Sequence, residues 1–235
     1  MDGRNIATIV GFHHIRGIGR DKSGNTYVVD SLNSRVIKFD SSFIPTRKTT
    51  SIREPFGIHV TNGYVFICDN RKNKMSILND KLDLCYDINY RGLLIDPTDV
   101  TELDGTYFVT TYTAIVAIDV EFEEQSYRAR KIEAFTIDGE EEAFSVDKEL
   151  RGICADHQFL YVVESNSRLL RLEYDSLSGQ LTYAGSLGDI SPVVVSCHDG
   201  EVYFSRIAQD SRCYISKVTT NGNGELLGYI DLFRV

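Results

Sequence analysis

A unit of roughly forty residues recurs along this 235-residue chain, and it restricts the possible folds more than any other feature. Its clearest copy runs Gly17-Ile18-Gly19-Arg20-Asp21-Lys22-Ser23-Gly24-Asn25-Thr26-Tyr27-Val28-Val29-Asp30 and continues through Asn33, Arg35 and Val36 to Phe39-Asp40. Copies start at Gly17, Gly57, Asp99, Gly152 and Val193, at intervals of 40, 42, 53 and 41 residues, so only the third carries an insertion. One such unit is too small to bury both of its apolar faces. Five of them in series point to a radial array of small antiparallel sheets in which each is covered by its neighbours.

Within each unit the strands align by position. An aromatic opens every second strand: Tyr27-Val28-Val29-Asp30, Phe66-Ile67-Cys68-Asp69, Phe108-Val109-Thr110-Thr111, Tyr161-Val162-Val163-Glu164 and Tyr203-Phe204-Ser205-Arg206. Third strands follow at 35–39, 74–78, 114–118, 169–172 and 214–218, where apolar and polar residues alternate with the period of two of a half-buried strand. Fourth strands are expected at 47–52, 82–90, 131–137, 181–187 and 226–232, the last after the tight-turn sequence Asn221-Gly222-Asn223-Gly224. Ile6–Phe12 remains as a strand ahead of the first copy, suited to closing the array against its last sheet and leaving no open edge. The expectation is an all-β chain, a five-bladed β-propeller of four-stranded antiparallel blades with a six-bladed ring as runner-up. It forms one domain over residues 1–235, with an acidic insertion around 121–150.

These units resemble NHL repeats, which run as a Gly-Ile strand, an Asp and a Gly turn, a Tyr-Val-Ala-Asp-like strand, then an Asn and an Arg. The first copy matches through Gly17-Ile18, Asp21, Gly24-Asn25, Tyr27-Val28-Val29-Asp30, Asn33 and Arg35; the second keeps Gly57-Ile58, Gly63, Phe66 and Asp69; the fourth keeps Gly152-Ile153, Tyr161, Glu164, Asn166 and Arg168. Copies three and five depart from the pattern, with Thr111 and Arg206 where the acid belongs. The resemblance implies a propeller and leaves the activity open, because a fold of this kind hosts many functions.

Composition is that of a soluble globular chain, 42% hydrophobic and 25% charged, with four prolines. No stretch approaches the ~20 apolar residues of a membrane span, and Met1-Asp2-Gly3-Arg4 does not open a leader of basic then apolar residues. The expected location is therefore cytoplasmic. Five cysteines, Cys68, Cys85, Cys154, Cys197 and Cys213, show no Cys-x-x-Cys spacing and read as small buried hydrophobes in a reducing compartment. The net charge of −9 gathers at Glu121–Glu124 and Asp138–Glu142. It argues against nucleic acid as a partner, since phosphate binding needs clustered Lys and Arg on one surface.

Catalytic signatures are sparse. His13, His14, His59, His157 and His198 form no His-x-His or His-Glu-x-x-His spacing, and no Gly-x-Ser-x-Gly elbow occurs. Ligands gathered from separate blades would leave no linear motif, so a divalent metal in the channel stays open; no other cofactor is expected. Loops from the fourth strand to the next first strand, and from second strand to third, emerge on one face of a propeller. That alignment groups Arg16, Asp30, Phe56, Asp69, Tyr112, Arg151, Glu164 and Arg206 as a mixed ring at the channel mouth. The acids also suit a purely structural role as turn caps braced by Arg. The leading expectation is a non-catalytic binding or scaffolding module for a protein, peptide or small polar ligand, with Arg as forked donor and aromatics as stacking surface. The alternatives are a lactonase-, lyase- or hydrolase-like propeller enzyme with a channel-centred metal, and an RNA-binding NHL module.

Overall fold

The computed structural model describes residues 11–89, 92–124, 126–138, 140–144, 147–221 and 225–234. Its fold is all-β, a five-bladed propeller of four-stranded antiparallel blades. Blade one comprises β1 (Ile15–Arg20), β2 (Thr26–Asp30), β3 (Arg35–Phe39) and β4 (Pro45–Thr49); blade two comprises β5 (Pro55–Thr61), β6 (Tyr64–Asp69), β7 (Lys74–Asn79) and β8 (Leu84–Ile88). Blade three comprises β9 (Asp99–Leu103), β10 (Thr106–Thr110), β11 (Ile115–Glu121) and β12 (Ser126–Ile132). A hairpin of β13 (Ala134–Ile137) and β14 (Glu140–Ala143) follows. Blade four comprises β15 (Leu150–Asp156), β16 (Phe159–Glu164), β17 (Arg168–Tyr174) and β18 (Leu181–Leu187), and blade five β19 (Pro192–His198), β20 (Glu201–Ile207), β21 (Cys213–Thr220) and β22 (Leu226–Arg234). The chain divides into two compact units, residues 1–100 and 101–235. The closing strand expected at Ile6–Phe12 lies, except for its last two residues, outside the described residues.

The aromatic expected to open each second strand is its second or third residue, because each strand begins earlier than the repeat suggested, and its neighbour on the third strand varies with it. Tyr27 pairs with Lys38, Tyr161 with Arg171 and Tyr203 with Lys217, whereas Phe66 pairs with Ile77 and Phe108 with Ala117. A phenol needs a polar neighbour when its ring is covered, and a plain phenyl ring does not. The Lys38 ammonium lies 5.2 Å from the Tyr27 ring. In the first unit the core is built on Tyr27, Val29, Val36, Ile58, Ile67 and Leu78. The second unit has two clusters, one around Phe108, Ile115, Leu160 and Leu172, the other around Tyr161, Val163, Leu187 and Phe204.

Glycine in the Gly-Ile motif serves the contact between successive first strands. A Cβ on Gly17 would lie 2.8 Å from the Phe56 carbonyl oxygen, and one on Gly57 would lie 2.4 Å from the Asp99 Cα and 2.8 Å from the Thr98 carbonyl oxygen. On Gly152 it would lie 3.3 Å from the Val195 nitrogen. The first strands therefore approach backbone to backbone, in space that a side chain would occupy. Pairing also aligns Val194, not Val193, with Gly17 and Gly152: Val194 faces Ser205 as Gly17 faces Val29 and Gly152 faces Val163.

Two sequence expectations are corrected. The fourth strand of blade three is Ser126–Ile132, and the segment expected there, 131–137, mostly enters β13, which pairs in parallel with β18 and makes blade four's sheet six-stranded. Alternation in Lys131–Ile137 is real, but it serves a different sheet. The edge strand β14 carries Glu140, Glu141 and Glu142, charge that discourages further strand addition. Second, Cys154 and Cys197 form a disulfide between β15 and β19, the first strands of neighbouring blades, with Cα atoms 5.7 Å apart and 43 residues of separation. Linear spacing hides that proximity, because it arises from blade packing. Cys68 is a buried free thiol, as the sequence suggested, while Cys85 and Cys213 are exposed.

Candidate functional site

In the first unit the residues expected at the channel mouth separate into two kinds. Asp30 ends β2 fully buried, and its carboxylate accepts from the His13 N–H (2.7 Å), Asn33 Nδ2 (2.8 Å) and Arg35 Nε (2.7 Å). Burial alone would raise its pKa, but bonds from Asn33, His13 and Arg35 outweigh it and hold the carboxyl below its usual value. It makes no cap to its own short 3-10 turn; it ties that turn to the chain entering β1. Asp69 holds the equivalent place in blade two, equally buried, and accepts the Arg53 N–H at 3.2 Å. Its other oxygen, Oδ1, is buried without a hydrogen bond to any of the described residues. The cause is a change of partner: Lys74 stands opposite Asp69 as Arg35 stands opposite Asp30, yet its ammonium goes to Asp87 at 2.6 Å.

The Arg16 guanidinium lies over the Phe56 ring, 4.5 Å from its centre, a cation–π contact that fixes the charge at the end of β1. One residue further along β5, Gly57 makes room for Asp99: a Cβ there would lie 2.2 Å from the Asp99 Oδ1. Asp99 begins β9 half-buried, and its Oδ1 accepts the N–H of Val100 at 2.9 Å. The Gly57 N–H donates to the Thr98 carbonyl at 2.9 Å, locking the two strands together. Burial pushes the Cys68 thiol pKa well up, and the carboxylates of Asp99 and Asp69 push it further, so both acids act on one point of the unit. Arg16 and Asp99 thus flank Phe56-Gly57, and Asp69 lies across from Pro55, the residue before them. His59, on the same strand, packs beside Phe66 with ring centres 6.5 Å apart.

In the second unit Glu164 is fully buried and accepts Arg168 Nε at 2.6 Å, while Arg168 Nη2 reaches Glu142 on β14 at 3.1 Å. The acid of blade four is therefore engaged, as in blade one. Arg151 lies 5.5 Å from the Tyr112 ring centre and gives Nη2 to Glu149, while its buried Nε makes no hydrogen bond. Arg206 bonds Asp231 through Nε (3.1 Å) and Nη2 (2.6 Å) and packs against the rings of Tyr214 and Tyr229, at 4.8 and 4.9 Å. Its bonds hold the Asp231 carboxyl below the usual range, with Ser216 helping against partial burial. Thr111, where blade three lacks the acid, closes its own turn through the Ala114 carbonyl at 3.0 Å.

Asp99 was not among the residues singled out from the sequence. The available signal was its place in the repeat, where an acid replaces the motif glycine. Among the described residues, no group of three or more His, Cys, Asp or Glu side chains is arranged to hold a metal ion. Among the described residues no helix is long and apolar enough to cross a membrane.

No protein-family model matches the chain, and no curated protein matches it. Solved structures do. A streptogramin B lyase structure is similar with a TM-score of 0.64 and 16% identity over 93% of this chain and 68% of that one. The Pseudomonas aeruginosa periplasmic gluconolactonase gives 0.62 and 13%, over 94% and 71%. The Cps50 (Swd1) β-propeller domain of Myceliophteria thermophila gives 0.64 and 11%, over 91% and 68%. At these identities the likeness is one of fold. The expectation that put a non-catalytic binding or scaffolding module first is corrected: a lyase and a lactonase stand among these neighbours of like fold, and the fold gives a non-catalytic module no precedence over its enzymatic alternative.

Proposed function

We propose that this chain is a propeller enzyme of the lyase or lactonase kind, acting on a small oxygen-rich molecule along the part of β5, Phe56-Gly57, that Arg16 and Asp99 flank. The observation that supports the reading is the cleared space at Gly57, which takes the Asp99 carboxylate one residue along β5 from Phe56, whose ring orients the Arg16 guanidinium. A carboxylate that takes a proton and a cation that holds charge developing on oxygen are the minimum for opening an ester or lactone, by water or by elimination. In the hydrolytic case Asp99 takes a proton from the attacking water, and Arg16 stabilises the oxyanion formed at the carbonyl. The proton then passes to the departing alkoxide, restoring the carboxylate.

The NHL-like pattern of the repeats describes the scaffold in this reading, and the chemistry comes from departures from it, Asp99 above all. The Cys154–Cys197 bond favours an oxidising compartment over the cytoplasm, since thiols stay reduced there. The test is turnover of a panel of sugar-acid lactones, aliphatic lactones and cyclic depsipeptides. Asp99→Asn and Arg16→Ala should each lower kcat/KM by about 100-fold or more. No turnover across the panel, or variants as active as the parent, would remove the proposal.

A further inference from the structure

Blades four and five, both in the second unit, together line a cavity of about 520 Å³, within the size range of small-molecule sites. Three connections and one strand supply its polar groups. Asn166 comes from the β16–β17 turn, Asp189 and Ser191 from the link between β18 and β19, Gln209 from the β20–β21 loop, and Arg206 from the end of β20.

Register decides which way Arg206 points. It stands two residues from Phe204, which is buried in the core cluster shared by blades four and five, so alternation turns both side chains toward blade four. The two bonds to Asp231 hold the guanidinium in place, three of its five N–H groups are left over, and 13% of the side chain is exposed. Asn166, Asp189 and Gln209 are exposed, and Ser191 is half-buried. Charge in the cavity is largely cancelled. Asp231 neutralises Arg206, and Arg212 pairs with Asp210, a further lining residue, at 3.1 Å. A free anion would meet the Asp189 carboxylate, and a free cation the Arg206 guanidinium. An apolar molecule would strip water from every one of these groups and replace none of the lost bonds. A hydroxyl both donates and accepts, so a ligand bearing several of them can answer two amides, a guanidinium, a hydroxyl and a carboxylate at once.

We propose that this cavity binds a neutral monosaccharide, with Arg206, Asn166 and Gln209 donating to its hydroxyls and Asp189 and Ser191 accepting from them. The test uses the full chain and calorimetry with D-glucose, D-galactose and D-mannose, each beside its uronate and its 2-amino counterpart. At least one neutral sugar should bind saturably, with an affinity that does not change between low and high salt. Its charged counterparts should bind about tenfold more weakly, since each brings an unanswered charge. The double variant N166D/Q209A changes two exposed side chains, and the backbone of Asn166, at φ +56°, is one that Asp also tolerates. It should keep its melting temperature and lose sugar binding about tenfold or more, while Asp99→Asn binds as the parent does. Neutral sugars that all fail to bind, charged sugars that bind as tightly, a strong salt dependence, or equal binding by N166D/Q209A and parent would overturn the proposal. Binding lost in Asp99→Asn would overturn it too, by moving the sugar to the site at Phe56-Gly57. Because Asp99 takes no part here, failure of this site and failure of the enzymatic reading are separate results.

Discussion

The Cys154–Cys197 bond ties the first strands of two neighbouring blades, and its removal has a calculable consequence. In the chain-entropy picture, a crosslink spanning 43 residues restricts the unfolded chain by about 4 kcal/mol at 25 °C. For a chain of this length each kcal/mol moves the melting temperature by about 2–4 °C, so the loss should be about 8–16 °C. Reduction and mutation must agree: dithiothreitol should bring the parent down to the level of a C154A/C197A variant and leave that variant unmoved. Partial burial of the pair, with Cys154 8% exposed, calls for incubation with reductant before the melt. Thiol titration in denaturant gives an independent count. Cys68, Cys85 and Cys213 are free, so three groups should react without reductant and five after it. Five reactive thiols at the outset, or a parent melt indifferent to reductant, would refute the reasoning.

The other expectations are smaller in scope. Gly57→Ala places a Cβ 2.4 Å from the Asp99 Cα, a backbone clash that should cost about 3 kcal/mol or more in urea unfolding. Gly63→Ala meets nothing within 4 Å but sits at φ +79°, so about 1–2 kcal/mol is expected. Arg168→Ala strands the fully buried Glu164 and should cost about 3–5 kcal/mol, far more than Arg16→Ala, whose guanidinium rests on a ring; equal losses would contradict the division between structural and chemical residues. Asp30 and Asp231 both have lowered folded-state pKa values. Their contribution is therefore complete above the ordinary carboxyl range near pH 4 and is lost as pH falls through the lower folded values. Asp30→Asn should flatten that part of the acid unfolding curve.

Much of the local structure is decided by neighbours within one repeat. The aromatic near the head of each second strand, the alternation behind it and the side chain opposite it are separated by about a dozen residues, so covalent order and a period of two suffice to specify the blade. Turn chemistry is similarly local: Asp21 accepts the N–H groups of Ser23 and Asn25, each at 2.9 Å, from its own loop. The charge-bearing side chains at the blade ends were legible as a set, Arg16, Asp30, Phe56, Asp69, Tyr112, Arg151, Glu164 and Arg206, but not their individual bonds. Whether an acid is satisfied depends on where one lysine goes. Arg35 turns to Asp30, while Lys74, at the same place in the repeat, turns to Asp87 on β8.

Contacts between blades were decided by tertiary structure alone. Gly57 against Asp99, Cys154 against Cys197 and β13 against β18 each join residues some forty positions apart, and nothing in the linear pattern reports such distances. The sequence by itself determined the blades, because their hydrogen bonds, alternation and turns are written within a single repeat. Only the packing of one first strand on the next decided which acid meets which glycine, which thiols meet each other and which sheet receives the extra hairpin. Side chains from different blades meet only after the backbones have come close enough to exclude a Cβ.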